Sequence, residues 1–299
     1  MPITVHPITR EFAAEVGDAD LGRPLAPADL ATIRAAFTKY AVLVFPDQDF
    51  TDESHLAFAA NFGPLETSVF KLRAGHRMRL DEHLADVSNL DAESRIQKLE
   101  DRQRLYNLGN RLWHTDSSFK RVPAYCSMLY ARSIPPIGGQ TEFADMRAAY
   151  DALPEATRRK IAGLIAEHSL MTSRARLGFT DFDEAEREAL APVPQVLVRR
   201  LQDSGRMSLY LASHAGGIRG MAKDDAGRLL SELLEHATQR QFVYTHRWRV
   251  KDLVIWDDRC TMHRGMEYDD QRWRRDMRRA TISDVAPTCE QMGLAVAAE

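Results

Sequence analysis

Two metal-binding types of side chain stand one residue apart in the stretch Trp113-His114-Thr115-Asp116. In an extended segment successive side chains point to opposite faces, so His114 and Asp116 should point to the same face. An imidazole and a carboxylate are two of the three ligands of the 2-His-1-carboxylate facial triad, which binds non-haem Fe(II). If this pair binds a metal, the fold must bring a third ligand to it from elsewhere in the chain. The alternative is a surface turn or an ordinary buried histidine, because a lone His-x-Asp is common.

The composition excludes some partners. The chain has 299 residues, 44% of them hydrophobic, which allows one large domain or two small ones with a sizeable core. Forty basic residues are balanced by 43 acidic ones, for a net charge of −3. Nothing in this balance favours a polyanionic partner, so nucleic acid is not expected.

Cysteine spacing and the amino terminus indicate the compartment. Cys126, Cys260 and Cys289 form no Cys-x-x-Cys pair, which argues against a zinc knuckle or a disulfide framework and predicts free thiols. The amino terminus lacks a basic region followed by an apolar run, and no apolar stretch approaches about 18 residues. We therefore predict a cytoplasmic protein that does not bind membranes.

The hydrophobic pattern predicts a mixture of strands and helices. Helices are expected over residues 28–39, after Thr51 until Gly63, from 154 to about 167, and over 223–238. Strands are expected over 41–45, 125–131, 140–143, 195–201, 206–211, 242–248 and 253–256, with a hairpin turn at 203–205.

These elements predict an α+β fold. Strands with turn signals, interleaved with a few helices, favour a β sandwich or jelly roll with helices packed outside it. A doubly wound parallel sheet fits less well, because no Gly-x-Gly-x-x-Gly follows the first strand. Residues 66–110 show no sustained period and predict a lid, a binding segment or a disordered insert. We expect one domain over residues 1–286 and a loosely held tail over 287–299.

An arginine-rich run follows another histidine. His263 precedes a turn at 268–271, and if the chain folds back near Asp269, Arg275 becomes its cross-strand neighbour. Period two places Arg275 and Arg279 on one face, roughly 13 Å apart, so the run could bind two anions near one metal. An Fe(II) enzyme that uses 2-oxoglutarate and an acidic substrate needs this arrangement. A charged edge strand, or a nucleic-acid patch around Trp273, is the alternative.

Four separated motifs follow one another along the chain: His114-Thr115-Asp116, residues 138–143, residues 256–265 and residues 274–281. Together and in this order they resemble the TauD/TfdA family of Fe(II)- and 2-oxoglutarate-dependent dioxygenases, which fold as a double-stranded β-helix. The TfdA branch, the 2,4-dichlorophenoxyacetate (2,4-D) dioxygenases, is the more similar one, because residues 145–154 and 233–240 also resemble it. The similarity runs from about Ile8 to Asp284.

The resemblance implies a role for individual residues. His114, Asp116 and His263 would bind Fe(II). Thr141 and Arg275 would bind the distal carboxylate of 2-oxoglutarate. Arg279 would face the acidic group of the substrate, and Lys71 falls where the TfdA branch has a lysine proposed to help bind that group. The chain differs from the family in the loops at 72–82 and 214–217, which leaves the substrate open.

The resemblance also implies a reaction. The enzyme would use O2 to convert 2-oxoglutarate to succinate and CO2 while it hydroxylates a small carboxylate, for example an aryloxyalkanoate such as 2,4-D, which then releases a phenol. A taurine, other sulfonate or alkyl sulfate dioxygenase is an alternative, because Arg279 could bind either anion. A metal-containing binding protein without turnover is another. We also expect a homo-oligomer.

The remaining histidines and the tryptophans near the motifs are predicted to have supporting roles. His214 lies in a glycine-rich turn and could approach the pocket. Trp113 and Trp256 precede the ligand-bearing turns and are expected to pack the site. Surface or packing roles are predicted for His6, His55, His76, His83, His168, His236 and His246.

Overall fold

The computed structural model describes residues 2–68 and 78–295, which form helices and mainly antiparallel sheets in the α+β pattern. The α-helices of this part are α1 (Pro27–Tyr40), α2 (Asp52–Ala59), α3 (Arg102–Asn107), α4 (Met146–Asp151), α5 (Glu155–Ile161), α6 (Leu170–Ala175), α7 (Glu184–Ala189), α8 (Lys223–Ala237) and α9 (Thr288–Gln291). Short 3-10 turns cover Ala60–Phe62, Leu108–Arg111 and Arg240–Phe242. None of these helices is long and apolar enough to cross a membrane.

Four sheets contain the strands. The strands are β1 (Thr4–Pro7), β2 (Ala14–Gly17), β3 (Val42–Phe45), β4 (Leu84–Asp86), β5 (Ala124–Ser133), β6 (Thr141–Asp145), β7 (Ile165–His168), β8 (Val193–Val196), β9 (Val198–Arg200), β10 (Met207–Leu209), β11 (Ala215–Ile218), β12 (Val243–His246), β13 (Leu253–Asp257), β14 (Thr261–Gly265) and β15 (Asp276–Ser283). The large sheet has the order β1-β2-β3-β13-β5-β15-β4. The small sheets are β12-β6-β14, β11-β7-β8 and β10-β9.

Alternation along the strands gives the large sheet two buried faces. Ile255 and Ala280 point to one face, where they pack with Phe37 of α1. Trp256 and Met277 point to the other face and share a cluster with Phe143 of β6. The large sheet is therefore covered by helices on one side and by the β12-β6-β14 sheet on the other.

A third cluster covers the far side of the small sheets. Leu229, Leu230 and Leu233 form the apolar stripe of α8 and pack with Ala144 of β6 and Met262 of β14. The order of layers is thus helices, large sheet, small sheets, helices, which is the buttressed sandwich that the sequence pattern predicts.

Several predicted elements agree with the structure. The helices expected at 28–39 and 223–238 are α1 and α8, and the hairpin expected around 203–205 joins β9 to β10. Thr51 caps α2: its hydroxyl accepts a hydrogen bond from the Ser54 amide, while the Ser54 hydroxyl accepts one from the Thr51 amide. Serine here takes the part that glutamate has in the usual capping box.

The helix expected from 154 to about 167 is too long. It ends at Ile161, because Gly163 has a φ of 75° and turns the chain. Ile165–His168 is instead strand β7, which pairs with β8 and β11. Helix α4 was not predicted.

The predicted hairpin between His263 and Arg275 is wrong. β14 pairs with β6, whereas β15 pairs with β5 and β4, so the two strands belong to sheets that face each other. The turn at 268–271 crosses between layers and does not join neighbouring strands.

The structure describes parts of the 66–110 segment and of the carboxyl-terminal tail. Within 66–110 the described residues are mostly irregular but include β4 and α3; Lys71 lies outside the described residues. The tail is not loose at its start, because Thr288 is fully buried and its hydroxyl donates to Gln195 Oε1. One domain over 1–286 stays a prediction.

The helix-covered face of the large sheet should carry much of the stability. Ile255 is fully buried there, so Ile255→Ala should lower the free energy of unfolding in urea by about 2–5 kcal/mol. Ile137, 80% exposed, provides the control, and Ile137→Ala should change it by less than about 0.5 kcal/mol. Equal effects of the two substitutions would contradict this packing.

Candidate active site

A backbone pairing brings two histidines together from distant parts of the chain. The His114 amide donates to the His263 carbonyl at 3.0 Å, and the His263 amide donates back at 2.8 Å. Thr115 points the other way, since its hydroxyl lies within hydrogen-bond distance of the carbonyls of Leu211 (2.9 Å) and Thr261 (3.0 Å). His114 and Asp116 therefore lie on the same side of their segment, as their spacing predicts.

The three side chains face one point. Asp116 Oδ1 lies 3.7 Å from His114 Nε2, and Asp116 Oδ2 lies 3.7 Å from His263 Nε2. Among the described residues this is the one group of three or more potential ligands that could hold a metal ion, with ligand atoms within 4.8 Å of one another. All three side chains are buried.

The protonation states suit a divalent metal. Burial lowers the pKa of His114 and brings that of His263 well below its ordinary value, so both rings are neutral. The Leu112 carbonyl, 2.8 Å from His114 Nδ1, accepts a hydrogen bond from the protonated Nδ1, which leaves the Nε2 lone pair free. Burial would raise the pKa of Asp116, but the charge of Arg279 and the hydrogen bond from the Ser127 hydroxyl bring it below the ordinary value. Two neutral imidazoles and an ionised carboxylate fit Fe(II).

Hydrogen bonds from other residues hold Asp116 in place. Its Oδ2 accepts from the Ser127 hydroxyl at 2.8 Å, and its Oδ1 accepts from Arg279. Asp258 Oδ1 accepts from the Asp116 amide at 3.1 Å and from the Trp256 indole at 3.0 Å. Burial and the charge of Asp116 raise the pKa of Asp258 well above its ordinary value. Sequence reasoning did not identify Asp258 as a positioning residue.

A cavity, here called the Arg275 cavity, opens on one side of the triad. It encloses about 820 Å³, including open solvent, and is lined by His114, His263, Thr141, Arg275 and Arg279 among others. Arg275 is buried, and burial lowers its pKa. No carboxylate of the described residues forms an ion pair with it; its Nη1 donates to a backbone carbonyl at 3.2 Å. A buried cation of this kind suits an anionic ligand.

Two residues that were not identified from the sequence form hydrogen bonds to Thr141 and Arg275, which line this cavity. Trp248 donates its indole N–H to Thr141 Oγ1 at 3.0 Å, which leaves the threonine proton able to donate. Asn89 Oδ1 accepts from the Arg275 amide at 2.8 Å, while its Nδ2 donates to two carbonyls of the preceding turn. Both contacts join segments far apart in the chain.

An adjoining cavity, here called the Arg174 cavity, shares His114 and Arg279 with the first. It encloses about 710 Å³, including open solvent. Its apolar lining comes from Tyr106, Phe119 and Leu170, and its polar lining includes Arg174.

Histidines also line the Arg174 cavity. His214 lies there with its ring 5.1 Å from that of Phe119, which agrees with its expected approach to the pocket. His83, predicted to have only a surface or packing role, lines this cavity too.

The predicted site residues come together, with one exception. His114, Asp116, His263, Thr141, Arg275 and Arg279 all line these cavities. Lys71 cannot be placed, because it lies outside the described residues. Trp256 packs against His263, with ring centroids 4.7 Å apart, whereas Trp113 packs with the cluster under α8. The chemical roles of these residues stay predictions.

Comparisons with known proteins agree on the family that this chain resembles. The model of the taurine catabolism dioxygenase TauD, TfdA family matches residues 4–281. The chain is 45% identical to an alpha-ketoglutarate-dependent 2,4-dichlorophenoxyacetate dioxygenase of Cupriavidus pinatubonensis, over 96% of this chain and 99% of the relative. It is 38% identical to an (S)-phenoxypropionate/alpha-ketoglutarate-dioxygenase of Sphingobium herbicidovorans, over 89% and 90%.

A solved structure is also similar. The crystal structure of AAD-2 in complex with Mn(II) and N-oxalylglycine superposes with a TM-score of 0.88 and 48% sequence identity. The match covers 96% of this chain and 99% of AAD-2.

The triad geometry predicts metal binding that depends on His263. Anaerobic calorimetry with Fe(II) should show one site in the wild type, and His263→Ala should weaken it by at least about 100-fold, since even loss of an outer contact costs about 10- to 100-fold. His236, which bonds to the Ala149 carbonyl away from both cavities, is the matched histidine, and His236→Ala should bind normally. Retained affinity in His263→Ala would contradict the ligand assignment.

Proposed function

Because the chain belongs to the TauD, TfdA family of dioxygenases, we propose that it is an Fe(II)- and 2-oxoglutarate-dependent dioxygenase that hydroxylates an aryloxyalkanoate such as 2,4-D. The observation that carries the proposal is the triad of His114, Asp116 and His263 between two cavities that both contain cationic side chains. Relatives 45% and 43% identical are 2,4-dichlorophenoxyacetate dioxygenases, which supports the aryloxy acid.

The match to the family confirms the resemblance inferred from the motifs. The likeness to AAD-2 confirms the double-stranded β-helix and the α+β class. The chain is accordingly an oxidoreductase of the 2-oxoglutarate-dependent dioxygenase type.

The metal and the co-substrate have a place in this site. His114 Nε2, His263 Nε2 and the Asp116 carboxylate would hold Fe(II). The Arg275 guanidinium and the Thr141 hydroxyl would bind the distal carboxylate of 2-oxoglutarate, because both line the same cavity and both have donors to offer. The Arg275 guanidinium is already held through Nη1 by the Val87 carbonyl at 3.2 Å, so less side-chain freedom is lost on binding.

The substrate would occupy the Arg174 cavity. Arg279 lines it and would face the carboxylate, while Phe119 and Leu170 would pack against the aryl ring. The apolar wall favours an aromatic acid over taurine, which has no apolar body to bury. A role for Lys71 beside the carboxylate rests on the resemblance alone.

The reaction follows from the position of the substrate. Bound Fe(II) supplies the oxidant from O2 and 2-oxoglutarate, with succinate and CO2 as products. The protein places one C–H bond of the substrate near the metal and excludes water. Hydroxylation of the carbon beside the ether oxygen gives a hemiacetal, which breaks down to a phenol and an oxoacid.

Substrate-dependent succinate formation tests the proposal. With Fe(II), ascorbate and 2-oxoglutarate, phenoxyacetate and 2,4-D should stimulate succinate formation and release a phenol, because the Arg174 cavity joins an apolar wall to a cation. Taurine and an alkyl sulfate serve as comparison substrates. Stimulation by taurine or the sulfate alone would keep the dioxygenase and refute the aryloxy substrate; no turnover with any acid would favour a binding protein.

Arg275→Gln should act on 2-oxoglutarate. Loss of a charged hydrogen bond costs about 1.5–3 kcal/mol, so the KM for 2-oxoglutarate should rise roughly 10- to 150-fold, with little change in the KM for the aryloxy acid. Arg274→Gln is the neighbouring control, since the Arg274 side chain is half exposed. A rise in the substrate KM alone would show that the roles of Arg275 and Arg279 are exchanged.

We further propose a cytoplasmic location and a homo-oligomer. The three cysteines are free, as predicted, and free thiols are typical of reducing compartments. Light scattering after size-exclusion chromatography would give the oligomeric state.

A further inference from the structure

The Arg174 cavity contains a guanidinium that neither the motifs nor the triad account for. Arg174 lies on α6 and is only 4% exposed, yet it lines the cavity beside Arg279 and His214. Burial lowers its pKa, and the charge of nearby Arg279 adds to this effect. Two like charges are thus held in one pocket.

Arg174 has no acidic partner in the described part of the chain. Its Nη1 donates to the Ser173 hydroxyl at 3.0 Å, and its guanidinium carbon lies 4.5 Å from the centroid of the Tyr106 ring. Its Nε is buried and forms no hydrogen bond. A buried cation without a carboxylate is costly unless a ligand neutralises it.

The other charged groups that line this cavity have partners. Lys120 bonds to Glu66 at 2.6 Å, Asp86 pairs with Arg79 at 2.7 Å, and Arg279 pairs with Asp116. Arg174 is therefore the unbalanced positive charge of the cavity, as far as the described residues go.

The lack of a side chain at Gly109 leaves room for the Arg174 guanidinium. A Cβ atom at this position would lie 2.3 Å from Arg174 Cζ and 2.4 Å from Nη1, so only glycine leaves room. Gly109 belongs to the turn that follows α3 at the edge of both cavities. The Tyr106 ring and this backbone together fix the guanidinium before any ligand arrives.

We propose that Arg174 binds the substrate carboxylate together with Arg279, each guanidinium contacting one carboxylate oxygen. This inference rests on the proposed function and adds a second anion-binding residue to it. Arg279 already donates through Nη1 to Asp116, so it cannot give its whole fork to the substrate. A second guanidinium supplies the missing donors and the missing positive charge.

Calorimetric binding separates this role from a structural one. Protein loaded with Mn(II) and N-oxalylglycine is titrated with 2,4-D and with its neutral primary amide. Arg174→Gln should weaken the acid about 10- to 100-fold and leave the amide nearly unchanged, because only the acid carries the charge that Arg174 meets. Arg174→Lys should restore part of the affinity for the acid.

Two further variants control the experiment. Arg176→Gln removes a cation two residues away, whose Nη2 donates to the Ala215 carbonyl at 2.9 Å, and should leave both affinities unchanged. Gly109→Ala keeps the charge of Arg174 but displaces it, and should reproduce the selective loss of the acid. This variant tests the inference even if Arg174→Gln does not fold.

The outcomes distinguish the two proposals. If wild-type protein binds neither 2,4-D nor phenoxyacetate, the aryloxy substrate is refuted, and with it the ligand assigned to Arg174. If wild-type protein binds the acid but Arg174→Gln and Gly109→Ala weaken acid and amide equally, or neither of them, the proposed function stands and the role of Arg174 is refuted.

Discussion

The site depends on the pairing of one short segment with one strand. Two backbone hydrogen bonds join His114 to His263, and Thr115 anchors the same segment from its other side. β14 lies in the β12-β6-β14 sheet, whereas Asp116 is held by Ser127 and Arg279 of the large sheet. The small sheet therefore brings the three ligands together, and the large sheet orients the Asp116 carboxylate, so the site is complete only when the two sheets pack on each other.

Buried charge explains how one metal site could serve two acids. Each of the two cavities beside the triad contains one guanidinium that no described carboxylate neutralises: Arg275 in one and Arg174 in the other. Arg279, shared by both, is held by Asp116. An unpaired buried charge is costly to the free protein, and an anionic ligand removes that cost. This charge pattern fits 2-oxoglutarate on one side and an acidic substrate on the other.

The local parts of this site could be read from the sequence, and the long-range parts could not. The spacing of His114 and Asp116 fixes their common side because alternation is a property of the backbone alone. His263 could be assigned only through the family resemblance, and its expected hairpin with Arg275 failed because a turn does not reveal which sheet receives the next strand. The supporting contacts of Asn89, Trp248 and Asp258 depend on which buried polar groups the fold brings together. No periodicity signals such contacts.

The most direct test is a crystal structure of the protein with Mn(II), N-oxalylglycine and phenoxyacetate. Anomalous scattering should place the metal against His114 Nε2, His263 Nε2 and the Asp116 carboxylate. The inhibitor should bind in the Arg275 cavity, and the aryloxy acid in the Arg174 cavity. A metal bound elsewhere, or both acids in one cavity, would contradict the division of the site into two anion-binding sides around one metal.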